Sequence, residues 1–269
     1  MDPACFTPDA NEPLGLWTRP DRGPSPLTGL RRVAFEYSSR GDRVPGRILL
    51  PPAGGGPFPI ALLAHAARSA SEAAALDAVA EPWARGGAAV ASIDLPLHAA
   101  RASAKLGRLL CAGLGGSPGS PLAAGILREL TRQAVLDLRR CLDALARVEG
   151  LDATRVAFAG LGLGAMVGAA FCALDPRPRA AALALAGAGS GDPELDPVHH
   201  VGRIAPRPIL FVNATHDATV PRAAAERLHA AAGEPREVLW VEAEGGDLPG
   251  RAIEAIGPFL RRHLGLSSA

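Results

Sequence analysis

The hydrophobic and polar positions of this chain follow two patterns that predict strands and helices. Residues 32–37 and 44–50 alternate apolar and polar side chains on either side of a turn, which predicts a β-hairpin. Beyond Pro51, short apolar runs alternate with longer amphipathic segments. The runs predict strands at 60–64, 88–93, 155–159, 180–186, 208–213 and 237–241. The amphipathic segments predict helices at 71–85, 124–148, 163–173, 221–232 and 249–263.

Strands that are apolar on both faces and alternate with helices are typical of a parallel sheet covered on both sides. The pattern therefore predicts an α/β fold, with an antiparallel hairpin followed by a mostly parallel sheet. Residues 1–28 are rich in Pro, Gly and Asp without a period, so we expect an irregular arm before a single domain over 29–269. We interpret residues 102–124 as a small lid, with an ordinary surface loop as the alternative.

Composition and charge restrict the classes of partner. The 269 residues are 48% hydrophobic, and 28 basic residues balance 27 acidic ones without a basic cluster, so we expect neither nucleic acid nor an anionic membrane as partner. No apolar run approaches the roughly 20 residues of a membrane span, and no signal peptide is evident, which favours a cytoplasmic protein. Four scattered cysteines favour reduced thiols: Cys5, Cys111, Cys141 and Cys172. The oligomeric state stays open.

The main candidate for chemistry is the segment 160–164, which reads Gly-Leu-Gly-Leu-Gly between a predicted strand and a predicted helix. It has the frame of the G-x-S-x-G nucleophile elbow. In that motif a sharp strand-to-helix turn presents a serine hydroxyl beside backbone N–H groups that can bind an oxyanion. Gly162 stands at the serine position, so this turn carries no nucleophile.

Four segments, in the right order, resemble the α/β-hydrolase superfamily over about residues 31–265, most closely its dienelactone-hydrolase and acyl-esterase-like group. Residues 62–67 are similar to the "HG" segment, residues 94–101 to a "D-x-P-x-H-G-x-R" segment, residues 160–164 to the elbow, and residues 207–221 to the strand and loop of the triad acid. The resemblance implies that Asp217 is that acid. It also implies that Ala67 and Leu163 supply oxyanion-type N–H groups, with no cofactor or metal.

The departures from the family pattern concern the reactive groups. Gly162 replaces the nucleophile, and the base histidine would fall at Gly246, with no histidine between His229 and His263. Three family glycines are alanines here: Ala66, Ala99 and Ala214. Of the triad that the resemblance implies, Asp217 alone remains.

Other residues offer weaker chemistry. His65, His98 and His216 follow strands at the edge where open α/β sheets bind ligands, although loop histidines often only hydrogen-bond neighbouring backbone. Cys172 lies more than two helical turns beyond the elbow and is expected in the core. The spacing of the histidines with Asp217 and Asp247 does not demand a metal. The glycines also fit a dinucleotide loop, but the next predicted strand ends without the carboxylate expected for a ribose.

The sequence therefore favours a non-hydrolytic pseudoenzyme whose former substrate cleft is either empty or a binding site for a small acyl or lactone-like molecule or a partner protein. The alternative is an enzyme that acts on an ester- or lactone-like molecule without a covalent intermediate. It would use acid/base chemistry on His65, His98, His216 or Asp217. A purely structural role is the third hypothesis.

Overall fold

A nine-stranded sheet forms the centre of the protein. The computed structural model describes residues 3–21, 29–52, 55–66, 73–108, 121–189, 192–242 and 248–266. The strands are β1 Trp17–Asp21, β2 Arg31–Ser39, β3 Asp42–Leu50, β4 Phe58–Ala64, β5 Ala89–Ile93, β6 Leu151–Leu161, β7 Pro178–Ala184, β8 Ile209–Ala214 and β9 Arg236–Val241. Their order in the sheet is β1-β2-β3-β5-β4-β6-β7-β8-β9.

The pairing confirms the predicted mixed sheet. β1, β2 and β3 pair antiparallel, β3 pairs antiparallel with β5, and all pairs from β5 to β9 are parallel. Every residue of β4 and of β5 is buried, as expected for strands covered on both faces. The predicted hairpin is the pair β2–β3.

Helices cover both faces of the sheet. They are α1 Ala73–Arg85, α2 Pro121–Leu145, α3 Leu163–Leu174, α4 Arg222–Ala231 and α5 Leu248–Leu264. On one face, α1 and α5 bury Trp83 and Phe259. On the other, α2 and α3 pack around Phe158 and Phe171, whose ring centroids are 5.4 Å apart. Burying a side chain of this size stabilises the fold by about 1.5–3 kcal/mol.

The register of the parallel strands brings several loops to one edge. Ala64 of β4 lies beside Gly160 of β6, and Leu63 lies beside Ser92 of β5. The segments that follow these strands therefore begin next to one another. This alignment builds the candidate site from residues that are distant in sequence.

The N-terminal segment differs from its prediction. Residues 1–28 were expected to be irregular, but 17–21 form β1, which pairs with β2. The prediction of an irregular arm is wrong for these residues because β1 is an edge strand. Its first four residues are exposed, so it lacks the alternation that indicates a half-buried strand.

Earlier residues of the same segment are anchored to α2. Phe6 lies in a short 3₁₀ helix and is fully buried, and the Arg139 guanidinium donates a hydrogen bond to its carbonyl oxygen. The Glu12 carboxylate accepts the backbone N–H groups of Arg40 and Gly41 in the β2–β3 turn, at 2.9 Å each. Residues 3–16 thus tie the hairpin to the helix layer.

The predicted lid falls largely outside the described residues. Residues 104–108 are helical and α2 begins at Pro121, while 109–120 are not described, so the lid at 102–124 stays a prediction. In the part of the chain that is described, no helix is both long and apolar enough to cross a membrane.

Candidate functional site

The turn between β6 and α3 has the shape of a nucleophile elbow. Gly162 connects the strand to the helix with φ +53° and ψ −113°. Its N–H donates to the Ala184 carbonyl of β7 at 2.9 Å. Its own carbonyl accepts from the N–H groups of Ala165 and Met166 at 3.0 and 3.1 Å. The backbone at the apex is therefore held from both sides, in a left-handed conformation that favours glycine.

The two outer glycines of the turn are required by backbone packing. A Cβ on Gly160 would lie 2.5 Å from the Gly164 carbonyl oxygen, and a Cβ on Gly164 would lie 2.2 Å from the Ala64 carbonyl oxygen. The Gly164 N–H also donates to the His65 carbonyl oxygen at 3.1 Å. Because side chains are missing at both positions, α3 starts directly against the ends of β4 and β6.

The central glycine has a different neighbour. A Cβ on Gly162 would lie 3.3 Å from the Cβ of Ala66, a tighter approach than ordinary van der Waals contact. Ala66 stands where the family pattern has glycine. The methyl group of Ala66 therefore fills part of the space that a serine at position 162 would need.

One of the two predicted oxyanion donors can be placed. The Leu163 N–H is the first of α3 and forms no hydrogen bond with any described residue. Because the N-terminus of a helix carries a partial positive charge, this N–H can bind a negatively charged group. Ala67 lies outside the described residues, so its role as the second donor stays a prediction.

His65 is a structural residue. Its ring is 3% exposed; Nδ1–H donates to the Ala66 carbonyl oxygen at 2.9 Å, and Nε2 accepts the Leu95 N–H at 3.3 Å. These two bonds define a neutral tautomer, and burial lowers the pKa of His65. The imidazole joins the loop after β4 to the loop after β5 and has no ring nitrogen to spare for a ligand.

His98 and His216 are less constrained. His98 is half-buried, with its ring centroid 5.0 Å from that of His65, and its Nδ1–H donates to the Pro96 carbonyl oxygen at 2.9 Å. Its Nε2 forms no hydrogen bond with the described residues. His216 is exposed on the loop after β8 and makes no hydrogen bond there. His98 is thus the better placed candidate binding residue.

Asp217 is occupied by its own loop. Its Oδ1 accepts the N–H groups of Thr219 at 2.7 Å and Val220 at 3.0 Å. All seven histidines lie among the described residues, and none forms a hydrogen bond or ion pair with Asp217. Gly246, the predicted base position, is outside the described residues. The carboxylate therefore has no imidazole to orient.

Left-handed backbone is concentrated around this edge. Among the described residues, four non-glycine positions have positive φ, and three follow β5 or β7: Leu97 at +62°, Ala99 at +53° and Leu185 at +56°. Such conformations cost of order 1–3 kcal/mol each and cluster at functional sites. Ala99, which stands where the sequence resemblance would place glycine, adopts this conformation with a methyl side chain.

An ion pair that the sequence did not reveal holds the loop after β5. Arg101 Nη1 donates to Asp137 Oδ2 at 2.6 Å and to the Asp94 carbonyl oxygen at 3.1 Å. Asp137, on α2, is completely buried, and burial raises its pKa although Arg101 opposes the shift. A carboxylate at a core-facing helix position was the available clue in the sequence. The pair fixes the segment that carries His98.

No described cysteine replaces the nucleophile. Cys172 on α3 and Cys141 on α2 are fully buried, and burial raises the pKa of both thiols. Cys5 is exposed. Within the described ranges, no three His, Cys, Asp or Glu residues are placed to hold a metal ion.

A cleft lies beside the site. It has a volume of about 420 Å³ and runs between the β2–β3 turn, the loop after β5 and α2, where Asp42, Leu97, Arg101 and Glu129 line it. Gly162 and Asp217 do not line this cleft.

Comparisons with known proteins agree with this geometry. No family model matches the chain, and no curated protein matches it either. Among solved structures, a cold-adapted esterase from an Arctic intertidal metagenomic library is similar with a TM-score of 0.72 and 20% identity, over 93% of this chain and 100% of that one. Acetyl xylan esterase from a Paenibacillus species gives 0.72 and 22%, over 94% and 90%. A Klebsiella pneumoniae protein assigned as a dienelactone hydrolase gives 0.65 and 16%, over 93% and 98%.

At these identities the similarity establishes the architecture. The mixed nine-stranded sheet covered by helices is the architecture shared with these esterases over nearly the whole chain. The chain has the α/β-hydrolase fold.

Proposed function

We propose that this protein is a non-hydrolytic member of its fold class, which binds a small acyl or lactone-like molecule above the β6–α3 turn. The observation that carries the proposal is the apex of the elbow. Gly162 holds the left-handed turn between two tightly packed glycines but presents no hydroxyl. The scaffold of an acyl-transfer site is thus combined with a chemically inert centre.

The absent groups account for the expected inactivity. In a serine hydrolase the serine attacks, the histidine transfers the proton, and the acid orients the imidazolium. Losing one such member typically costs about 10⁴–10⁶ in turnover. Here Asp217 bonds to backbone instead, and His65 bridges two loops through both ring nitrogens. Asp217 and His65 are therefore used to hold the loops.

The remaining groups suit binding of a carbonyl. The Leu163 N–H has no described partner and lies at the positive end of α3. His98 adds an imidazole nitrogen on the neighbouring loop. The methyl group of Ala66 and the bare Gly162 together form a small apolar surface. A ligand that places a carbonyl oxygen on the Leu163 N–H and a small apolar group on this surface would fit the site.

The test separates binding from turnover. The purified full chain should hydrolyse p-nitrophenyl acetate no faster than a heat-denatured control, and a fluorophosphonate probe should not label it. Short-chain lactones or acyl amides should raise its melting temperature. Gly162→Val, which places a branched side chain on the small apolar surface, should abolish that shift, whereas Thr18→Val on the distant strand β1 should not. Fluorophosphonate labelling of the wild type would contradict the proposal, as would a shift that survives in Gly162→Val.

One observation favours a second candidate, an acid/base enzyme without a covalent intermediate. His98 Nε2 is not engaged by the described residues, while Nδ1–H fixes the ring against Pro96. Such an imidazole can act as a general base on a bound lactone. The test is a lactone and ester panel on the wild type and on His98→Asn, whose amide can still donate to Pro96. A turnover that both proteins share equally would rule out this role of His98.

A further inference from the structure

The two edges of the sheet differ in how they are protected against further pairing. β1 carries Pro20, which has no N–H to donate, flanked by the charged residues Arg19 and Asp21. These are devices that natural edge strands use against pairing. β9, at the other edge, lacks proline and ends in the apolar run 238–241.

Apolar side chains are exposed on β9. Val238 and Leu239 are 38% and 42% exposed, and they are two of only four large apolar side chains with this exposure among the described residues. Neighbouring residues of a strand point to opposite faces of the sheet. Both faces therefore present an apolar side chain to water at this one edge.

The backbone of β9 also has a free side. Ile209 N–H donates to the Pro235 carbonyl oxygen and Thr215 N–H donates to that of Val241, at 3.1 Å each. Odd-numbered residues of β9 therefore turn their polar groups towards β8. Because these directions alternate along a strand, the even-numbered residues Val238 and Trp240 turn theirs to the open edge. Arg236 does so as well, but its N–H there donates to the Glu234 carboxylate at 2.9 Å.

We propose that two copies of this chain pair through β9 in an antiparallel arrangement centred on Leu239. In this register Leu239 lies opposite its counterpart, Val238 lies opposite Trp240 of the second copy, and Arg236 lies opposite Glu242. Even-numbered residues then face even-numbered ones, so the outward N–H and C=O groups meet each other. Both exposed apolar residues lie at the centre of the contact.

Charge complementarity is the reason to take a second copy as the occupant, and it favours Leu239 over Glu237 and Val238 as the centre of the contact. Centring on Leu239 places Arg236 against Glu242 at both ends of the contact. Centring on Glu237 would place two copies of that carboxylate opposite each other. Centring on Val238 would place Glu234 against Glu242. Opposed like charges destabilise a strand pair, whereas opposed opposite charges stabilise it.

A disulfide cross-link tests the register directly. Two opposed residues in a non-hydrogen-bonded antiparallel pair have Cα atoms about 4.5 Å apart, within the range that a disulfide spans. In a full-length background with Cys5→Ser and Cys111→Ser, oxidised Leu239→Cys should give a covalent dimer. Val238→Cys, which faces Trp240 of the second copy, is the matched control and should give roughly tenfold less. Equal yields, or no dimer in Leu239→Cys, would overturn the proposal.

Sedimentation equilibrium tests the interface without a cross-link. The wild type should show a monomer–dimer equilibrium, and Leu239→Lys should raise the dissociation constant about tenfold or more. Arg236→Glu should weaken the dimer, and the charge swap Arg236→Glu with Glu242→Arg should restore it. Thr18→Lys on β1 should have no effect, and circular dichroism checks folding of each variant. A wild type that is monomeric up to about millimolar concentration, or a dimer that Leu239→Lys leaves intact, would refute the contact.

Discussion

The β6–α3 turn and the loop after β8, where the sequence resemblance places a nucleophile and an acid, are held by different forces. At the turn, backbone atoms pack so closely that Gly160 and Gly164 cannot carry a side chain. In the loop, one carboxylate holds the backbone through the N–H groups of Thr219 and Val220. The turn is thus held by close backbone packing at positions 160 and 164, and Asp217 has a structural use that is independent of catalysis.

The largest effect should come from adding a methyl group to the packed turn. Gly164→Ala places a Cβ 2.2 Å from the Ala64 carbonyl oxygen, so the helix must shift. We expect a loss of about 3 kcal/mol or more in the free energy of unfolding, measured by urea denaturation. Gly125→Ala, in open space on α2, is the control and should gain about 0.5–1 kcal/mol. Equal stability of both variants would show that the turn is not held by packing.

The next largest effect should come from the pH dependence of stability at the end of β8, which precedes the Asp217 loop. Asn213 of β8 accepts a hydrogen bond from His229 Nε2 at 3.0 Å, and burial lowers the pKa of His229 to about 4. The unfolded chain has a pKa near 6.5, so it binds more protons than the folded protein between these values, and stability falls as the pH drops from about 6.5 to 4. The loss from this group should be up to about 3 kcal/mol.

Comparison with His229→Gln isolates that contribution. The glutamine amide can donate to Asn213 but does not titrate. Urea denaturation at a series of pH values should show a shallower acid loss for this variant than for the wild type. Parallel pH profiles of the two proteins would mean that protonation of His229 does not contribute to the loss of stability in acid.

A double-mutant cycle tests the contact at the apex. Gly162→Ser should cost about 1–2 kcal/mol, because φ is positive and the new Cβ meets that of Ala66 at 3.3 Å. In an Ala66→Gly background the same change should cost less, since the methyl group is gone. Neither variant should gain esterase activity above background, because no histidine forms a hydrogen bond or ion pair with Asp217. Additive effects of the two changes would show that positions 66 and 162 do not interact.

The smallest effect should come from substitution of Asp217. Asp217→Ala removes the acceptor of two backbone N–H groups and should cost about 1 kcal/mol. Asp217→Asn keeps an acceptor oxygen and should cost less. Thermal unfolding measures both. A melting temperature that neither substitution changes would show that the loop does not depend on this carboxylate.

Most regular elements were predictable because burial determines them. Strands β4 to β8 and the helices on both faces follow the apolar pattern within a few residues, and β9 was predicted from its apolar run although its first four residues are exposed. β1 was missed because an exposed edge strand shows no such pattern. The buried partner of Arg101 was missed as well, since Asp137 lies 36 residues further on and is brought to it by the packing of α2.

The sequence by itself determined the order of strands and helices, the position of the elbow, and the absence of a serine at its centre. These features depend on local periodicity and on residue identity, and both can be read directly from the sequence. The tertiary structure decided what the remaining groups do. His65 bridges two loops, Asp217 accepts backbone N–H groups of its own loop, and the Ala66 methyl group lies against Gly162. Such roles depend on distances of a few ångströms between segments that the strand register brings together, and no local pattern encodes them.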